Sequence, residues 1–204
     1  KSVFIAELKA LARLVPFQDI RLLLPYMTQP EEYAPLHEAI RQLIGQPVPL
    51  GVMIETPAAA LALPEWLQLV DFVVIGCNDL MQCLFAADRD IPAVAALLDP
   101  YSPFLYRFLH QMAQSAGPSL HKIQLGGLLP QVPGVLPLLI GIGYRNFSVE
   151  PMLTPCMATI VANTHTASAV ECVEKACSAS STAELRALLD MPENLIWGDI
   201  RVVH

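Results

Sequence analysis

The 204-residue chain is short of charge, with 15% Asp, Glu, Lys and Arg against 54% hydrophobic residues. The little charge it has leans one way, 12 basic side chains against 19 acidic for a formal net charge of −7, and no run of lysine or arginine occurs. A chain without a basic cluster lacks the electrostatic footprint by which proteins hold nucleic acid or an anionic membrane, so neither is expected as a partner. Cysteine is scarce and unpatterned. Cys77, Cys83, Cys156, Cys172 and Cys177 contain no CxxC pair, and an odd number at wide spacing suits free thiols in a reducing compartment; a cytoplasmic protein is expected. No tandem repeat, low-complexity segment or linker divides the sequence, and residues 1–204 are read as a single domain with a substantial core. The opening KSVFIAELKALARL lacks the apolar core and cleavage site of a signal peptide, and its first residue is lysine, so a piece of a longer protein is expected.

What is present is organised around Gly51 to Asp90, GVMIETPAAALALPEWLQLVDFVVIGCNDLMQCLFAADRD, which states one phrase twice: an apolar run, an acidic residue near its end, and a helix. In the first copy Val52-Met53-Ile54 reads as a buried strand, Glu55 stands at its carboxyl end, and Thr56 with Pro57 forms an N-cap followed by proline at the first helical position. The helix runs from Ala58 to about Gln68 and is expected to kink or restart at Pro64. In the second copy Phe72 to Ile75 is the strand, Gly76-Cys77-Asn78-Asp79 the turn, and Leu80 to about Ala87 the helix. Parallel α/β folds carry their chemistry in the segments that follow the carboxyl ends of strands. Asp79 follows Glu55 by 24 residues, the length of one strand-helix unit, so neighbouring parallel strands would aim both carboxylates into one cavity. Two readings stay open. Paired hard oxygen ligands suit Mg2+ or Mn2+, with water and a phosphate or carboxylate substrate completing the shell. Alternatively, Asp79 or Asn78 caps its helix and Glu55 is a solvated loop residue.

Along the rest of the chain, Phe4, Leu8, Leu11, Ala12 and Val15 recur at helical spacing, with Lys1, Glu7, Lys9 and Arg13 as the polar remainder, and Pro16 follows. Ile20 to Pro25 reads as a strand leading into Tyr26-Met27-Thr28, and Glu31 to Leu43 as a helix. Beyond Asp90 the pattern predicts a long loop, a helix from about Pro103 to Ala116, a turn at Gly117-Pro118, a strand at Ile123-Gln124-Leu125, a short helix from Val135 to Ile140, and a strand at Phe147-Ser148-Val149. Three terminal helices follow, at about Pro155–Asn163, Ser168–Ala176 and Thr182–Leu189. The 22 residues between Lys122 and Arg145 carry no charge, long enough to span a bilayer, but Pro130, Pro133 and Pro137 with five glycines divide them, and a buried strand-helix unit is expected. Five alternations of strand and helix predict a parallel α/β architecture, short of the eight units of a (β/α)8 barrel.

The phrases VMIETPAAA, IGCNDLMQ and AADRD, with DIRLLLPYM before them and NTHTASAVECVEKACSASSTAELRALL after, resemble the motifs of the phosphoenolpyruvate-binding (β/α)8 barrel of enzyme I of the bacterial sugar phosphotransferase system. The likeness runs nearly end to end from Ile5 and extends more distantly to phosphoenolpyruvate synthase and pyruvate phosphate dikinase. It implies the C-terminal part of such a TIM barrel, about five strand-helix units, from a protein that binds phosphoenolpyruvate with Mg2+ or Mn2+. By the same resemblance the phosphoryl group passes to a histidine on a separate N-terminal domain, pyruvate is released, and the barrel forms a homodimer. Glu55 and Asp79 match the metal ligands, Asn78 lies against the phosphate, and Arg21 and Arg89 hold phosphate and carboxylate oxygens through the guanidinium fork.

The departures matter as much. Lys9 in ELKAL stands where the family has the arginine of a QLRAI-like run, and lysine supplies charge without the fork. The family's GMCGE motif, whose cysteine protonates the enolate of pyruvate, aligns with Gln124-Leu125-Gly126-Gly127-Leu128, so Gly126 replaces the cysteine and Leu128 the glutamate. Neither can give a proton. Cys77, beside Asn78, is a conceivable substitute but is read instead as a small apolar residue packing under the loop, and Cys83 as helical core. None of His37, His110, His121, His165 and His204 sits in the family's phosphohistidine motif. The expected function is that of a phosphoenolpyruvate-binding domain of an enzyme I-like phosphotransferase; the alternative is a catalytically degenerate barrel with a regulatory or dimerisation role.

Overall fold

A computed structural model describes residues 2–15 and 19–192; Lys1, Pro16 and His204 lie outside the described residues. Helix α1 (Ser2–Ala12) precedes strand β1 (Leu22–Leu24), and α2 (Tyr33–Ile44), entered through a 3-10 turn, leads to β2 (Leu50–Ile54). The helix after β2 is two pieces, α3 (Pro57–Leu61) and α4 (Leu63–Leu69), broken at Ala62 one residue before the leucine that precedes Pro64. Thr56 caps α3, its hydroxyl accepting the Ala59 N–H at 3.2 Å, with Pro57 in the first turn. Next come β3 (Phe72–Gly76), α5 (Cys77–Phe85), the short α6 (Pro92–Ala95), α7 (Pro103–Ala116), β4 (Ile123–Gly126), α8 (Val135–Ile142), β5 (Asn146–Phe147), α9 (Thr154–Asn163), α10 (Thr166–Ser178) and α11 (Thr182–Leu188).

Three expectations need correction. Gly76 to Asp79 is no turn: β3 ends at Gly76 and α5 begins at Cys77, with no connecting loop. The last strand is two residues, Asn146–Phe147, one position earlier than expected, and the loop after Asp90 carries the helix α6. The uncharged segment before Arg145 is a strand, a 3-10 turn and the 8-residue α8, and no helix among the described residues is long and apolar enough to cross a membrane.

The five strands form one parallel sheet in sequential order, β1-β2-β3-β4-β5. A doubly wound sheet reverses strand order at its switch point; sequential order throughout is that of a barrel wall. The fold is therefore α/β and consistent with part of a barrel, with β1 and β5 as the two edges of the sheet. Register sorts the side chains onto two faces, because in-register neighbours of parallel strands point the same way and successive residues alternate. Leu24, Val52, Val73 and Ile123 form one row and Ile54, Ile75, Leu125 and Phe147 the next. Helices cover these rows, and Val52, Ile54, Val73, Ile75, Ile123 and Leu125 are all 0% exposed. On the other face, Met53, Val74, Gln124 and Asn146 form one row, and Gly76 pairs with Gly126 in the next.

The helical layer is tied down by buried polar contacts. Arg107 donates to the carbonyls of Cys177 and Ala179 at 2.6 and 2.7 Å, holding the end of α10. Arg186 of α11 pairs with Asp99 at 3.0 Å and lies over the Tyr101 ring. By contrast, no residue of α9 is buried, although its sequence TPCMATIVAN is largely apolar.

Candidate functional site

Glu55 is the first residue beyond β2, where extended backbone turns to meet the capped start of α3. Its side chain is 4% exposed and accepts the Tyr26 N–H through Oε2 at 2.8 Å. This is no solvated loop residue. Gly76, across the ladder, makes the room: a Cβ there would meet Glu55 Cγ at 2.7 Å. Burial raises the Glu55 carboxyl above its ordinary pKa; the Tyr26 N–H opposes the rise, and the nearby Asp79 adds to it by charge and by side-chain hydrogen bonding.

Asp79 reaches Glu55 from the first turn of α5, so the direct passage of β3 into the helix replaces the expected loop as the device that brings the two carboxylates together. Neither Asn78 nor Asp79 is the N-cap; that position is Gly76, which makes no side-chain cap. Asp79 Oδ1 accepts from Gln82 Nε2 at 2.9 Å, and Gln82 Oε1 accepts the Arg89 N–H at 2.9 Å, tying the Arg89 backbone to the same carboxylate. The Arg89 guanidinium is partly exposed, with Asp90 4.0 Å away. Asn78 serves the neighbouring strand end: its Oδ1 accepts the Leu128 N–H at 2.9 Å, holding the segment where Gly126 and Leu128 stand. Gly127, at φ +89°, leaves the space that the Asn78 amide fills.

A residue not singled out from sequence joins them. Tyr26 has φ +53°, an uncommon left-handed conformation for an aromatic residue. Its N–H serves Glu55, and the charge of the nearby Asp79 is the main reason that the phenol lies above its ordinary pKa. Only the left-handed backbone marks Tyr26, and no sequence signal for it exists in an aromatic residue.

One of the expected ligands is elsewhere. Arg21 precedes β1 and falls in register with Pro49, six residues before Glu55 along the ladder, or roughly 20 Å at about 3.3 Å per residue. That is the opposite end of the sheet, beyond an arginine's reach. Lys9 is exposed on α1, a helix that packs against α2. Cys77 is 1% exposed, its thiol donating toward the Ile75 carbonyl at 3.7 Å among Tyr106 and Tyr144, and burial pushes its pKa up to about 12. It packs as a small apolar residue. Cys83, in contrast, is exposed on α5 near Tyr26, not in the core: the buried stripe is Cys77, Leu80 and Met81, and position 83 falls outside it.

Two converging carboxylates, without an ion-paired basic side chain among the described residues, form a hard oxygen donor set. Among the described residues no cluster of three or more His, Cys, Asp or Glu side chains forms, so a cation here would take its other ligands from water and a bound anion, the usual habit of Mg2+. Residues 1–166 match the family described as PEP-utilising enzyme, PEP-binding domain. The chain belongs to that family. Among curated relatives of this PEP-binding family, a phosphoenolpyruvate-protein phosphotransferase of Cupriavidus necator is 35% identical over 160 residues, 74% of this chain and 27% of its own length. A phosphoenolpyruvate-protein phosphotransferase of Buchnera aphidicola is 30% identical over 202 residues, 93% of this chain and 35% of its own. Multiphosphoryl transfer protein 1 of Escherichia coli is 27% identical over 198 residues, 92% and 24% respectively. The chain thus spans about a quarter to a third of the length of these relatives.

Proposed function

We propose that this chain is the phosphoenolpyruvate-binding part of an enzyme I-like phosphotransferase, and that Glu55 and Asp79 hold its divalent cation. The observation that carries this reading is the meeting of a buried Glu55 with Asp79 at the carboxyl ends of β2 and β3. When bound, Mg2+ or Mn2+ would draw charge from the phosphoryl oxygens. The chain's own residues supply the rest: Asn78 holds the Gly126–Leu128 segment against the site, and Arg89, its backbone tied to Asp79 through Gln82, would offer its partly exposed guanidinium to an anionic group. Arg21 is left out of this set because it stands at the other end of the sheet, and Lys9 because no contact among the described residues ties it to the two carboxylates. The phosphoryl group would pass to a histidine on another domain of a longer protein, and dimerisation belongs to the same proposal.

Turnover meets one obstacle. An enolate left by phosphoryl transfer needs a proton at carbon, and Gly126, Leu128 and the buried Cys77 offer none in the cavity. A second reading rests on that and on the bare apolar surface of α9: a barrel that binds without turning over, kept for regulation or association. Isothermal titration of phosphoenolpyruvate with Mg2+ into the full-length protein tests the first; absence of binding overturns it. Pyruvate release, with and without Gly126→Cys and Leu128→Glu together, separates the two. Release that rises only in the double variant favours the binding barrel, and ordinary turnover by the unaltered protein favours the transferase. A Cβ at Gly126 meets Val74 Cγ1 at 3.1 Å, so the Val74 side chain must give by a few tenths of an ångström to admit it.

A further inference from the structure

Tyr26 stands beside both candidate ligands, its main chain bonded to one and its phenol near the other. Its backbone N–H donates to Glu55 Oε2 at 2.8 Å, and its phenol, 62% exposed, lies near enough to Asp79 for that carboxylate's charge to act on it. The left-handed backbone at φ +53° is what lets N–H and ring serve neighbouring strand ends, and such a conformation in a tyrosine persists only where the surroundings enforce it. Each carboxylate has more lone pairs than a cation uses. Donors on the outward oxygens therefore orient a ligand without competing with the ion, as outer-shell donors do at metal sites.

Resting on the cation site proposed above, we propose that Tyr26 is a positioning residue for that site, fixing Glu55 with its main chain and Asp79 with its hydroxyl. The two contacts separate by mutation. Tyr26→Phe deletes the hydroxyl and keeps the N–H; Tyr26→Gly keeps the N–H, removes the ring and relaxes the backbone. The exposed ring contributes little to the core, so both variants should fold.

The test is Mn2+ binding to the full-length protein, followed by electron paramagnetic resonance of free and bound ion, with melting temperature measured alongside. Tyr26→Phe is expected to weaken Mn2+ binding about tenfold, the low end of outer-shell effects, and to alter the line shape of the bound ion as Asp79 loses its fixed orientation. Tyr26→Gly is expected to weaken it at least as much while melting at the wild-type temperature or higher. A residue that merely supports the fold would lower the melting temperature and leave affinity and line shape alone, and that result overturns the proposal. Asp79→Ala is the control for the site itself. Wild-type binding that Asp79→Ala abolishes and Tyr26→Phe leaves intact defeats the role of Tyr26 only; wild-type protein that binds no Mn2+, or that binds it unchanged after Asp79→Ala, defeats the cation site and this inference together.

Discussion

The two faces of the sheet are built on different rules. On the helix-covered face the rows through Val52, Val73 and Ile123 and through Ile54, Ile75 and Leu125 are β-branched or leucine and wholly buried. On the other face the corresponding rows hold Met53, Val74, Gln124 and Asn146, with Gly51, Gly76 and Gly126 among them, and Met53, Gln124 and Asn146 keep some exposure. The first face stabilises; the second trades packing for space. Each glycine clears room for a particular neighbour: a Cβ at Gly51 would strike the Phe72 ring and one at Gly76 the Glu55 side chain.

Neighbouring residues of β4 break the comparison most sharply. Leu125→Gln loses a buried side chain and strands an amide among helices, a destabilisation of about 4 kcal/mol; Gln124→Leu, one residue away on the other face, should stay within about 0.5 kcal/mol, both read by urea denaturation. Equal costs would mean that the faces are not distinct. Gly76→Ala comes next. Its methyl group drives Glu55 from its place, costing about 1–3 kcal/mol of stability and at least tenfold in Mn2+ affinity, measured by titration. Unchanged affinity would show that Glu55 need not sit where it does. The smallest effect is chemical. Buried on the covered side with its pKa pushed up to about 12, Cys77 stays protonated throughout the neutral range and resists alkylation until unfolding, whereas exposed Cys83 and Cys156 label readily; mass spectrometry of partly labelled protein reads the order.

Much of this was legible in the sequence where local chemistry and long-range packing agree. Thr56-Pro57 announced its cap, the proline at 64 sits in the first turn of a restarted helix, and the apolar runs before Glu55 and Asp79 became adjacent parallel strands. Gly-Cys-Asn-Asp misled because its composition is that of a turn, while burial of Cys77, Leu80 and Met81 draws the helix back to position 77. The same shift explains Cys83, assigned inward by its apolar character and turned outward by helical phase. Arg21 was legible in principle, since a residue preceding a strand lies at the strand's amino end, but the resemblance placed it by motif rather than by direction. The fit of Asn78 to the Leu128 N–H joins residues fifty positions apart in the chain and leaves no local trace.

The loopless junction between β3 and α5 sets the tempo of the site. Segments that carry function usually exchange their amide protons fast because they open locally. Asp79 instead rides on a helix continuous with a central strand, between β2 and β4, so its backbone moves away from Glu55 only when that junction opens. The backbone that carries Asp79 is thus expected to exchange its amide protons as slowly as the central strand it extends, with the Tyr26 and Leu128 segments exchanging faster.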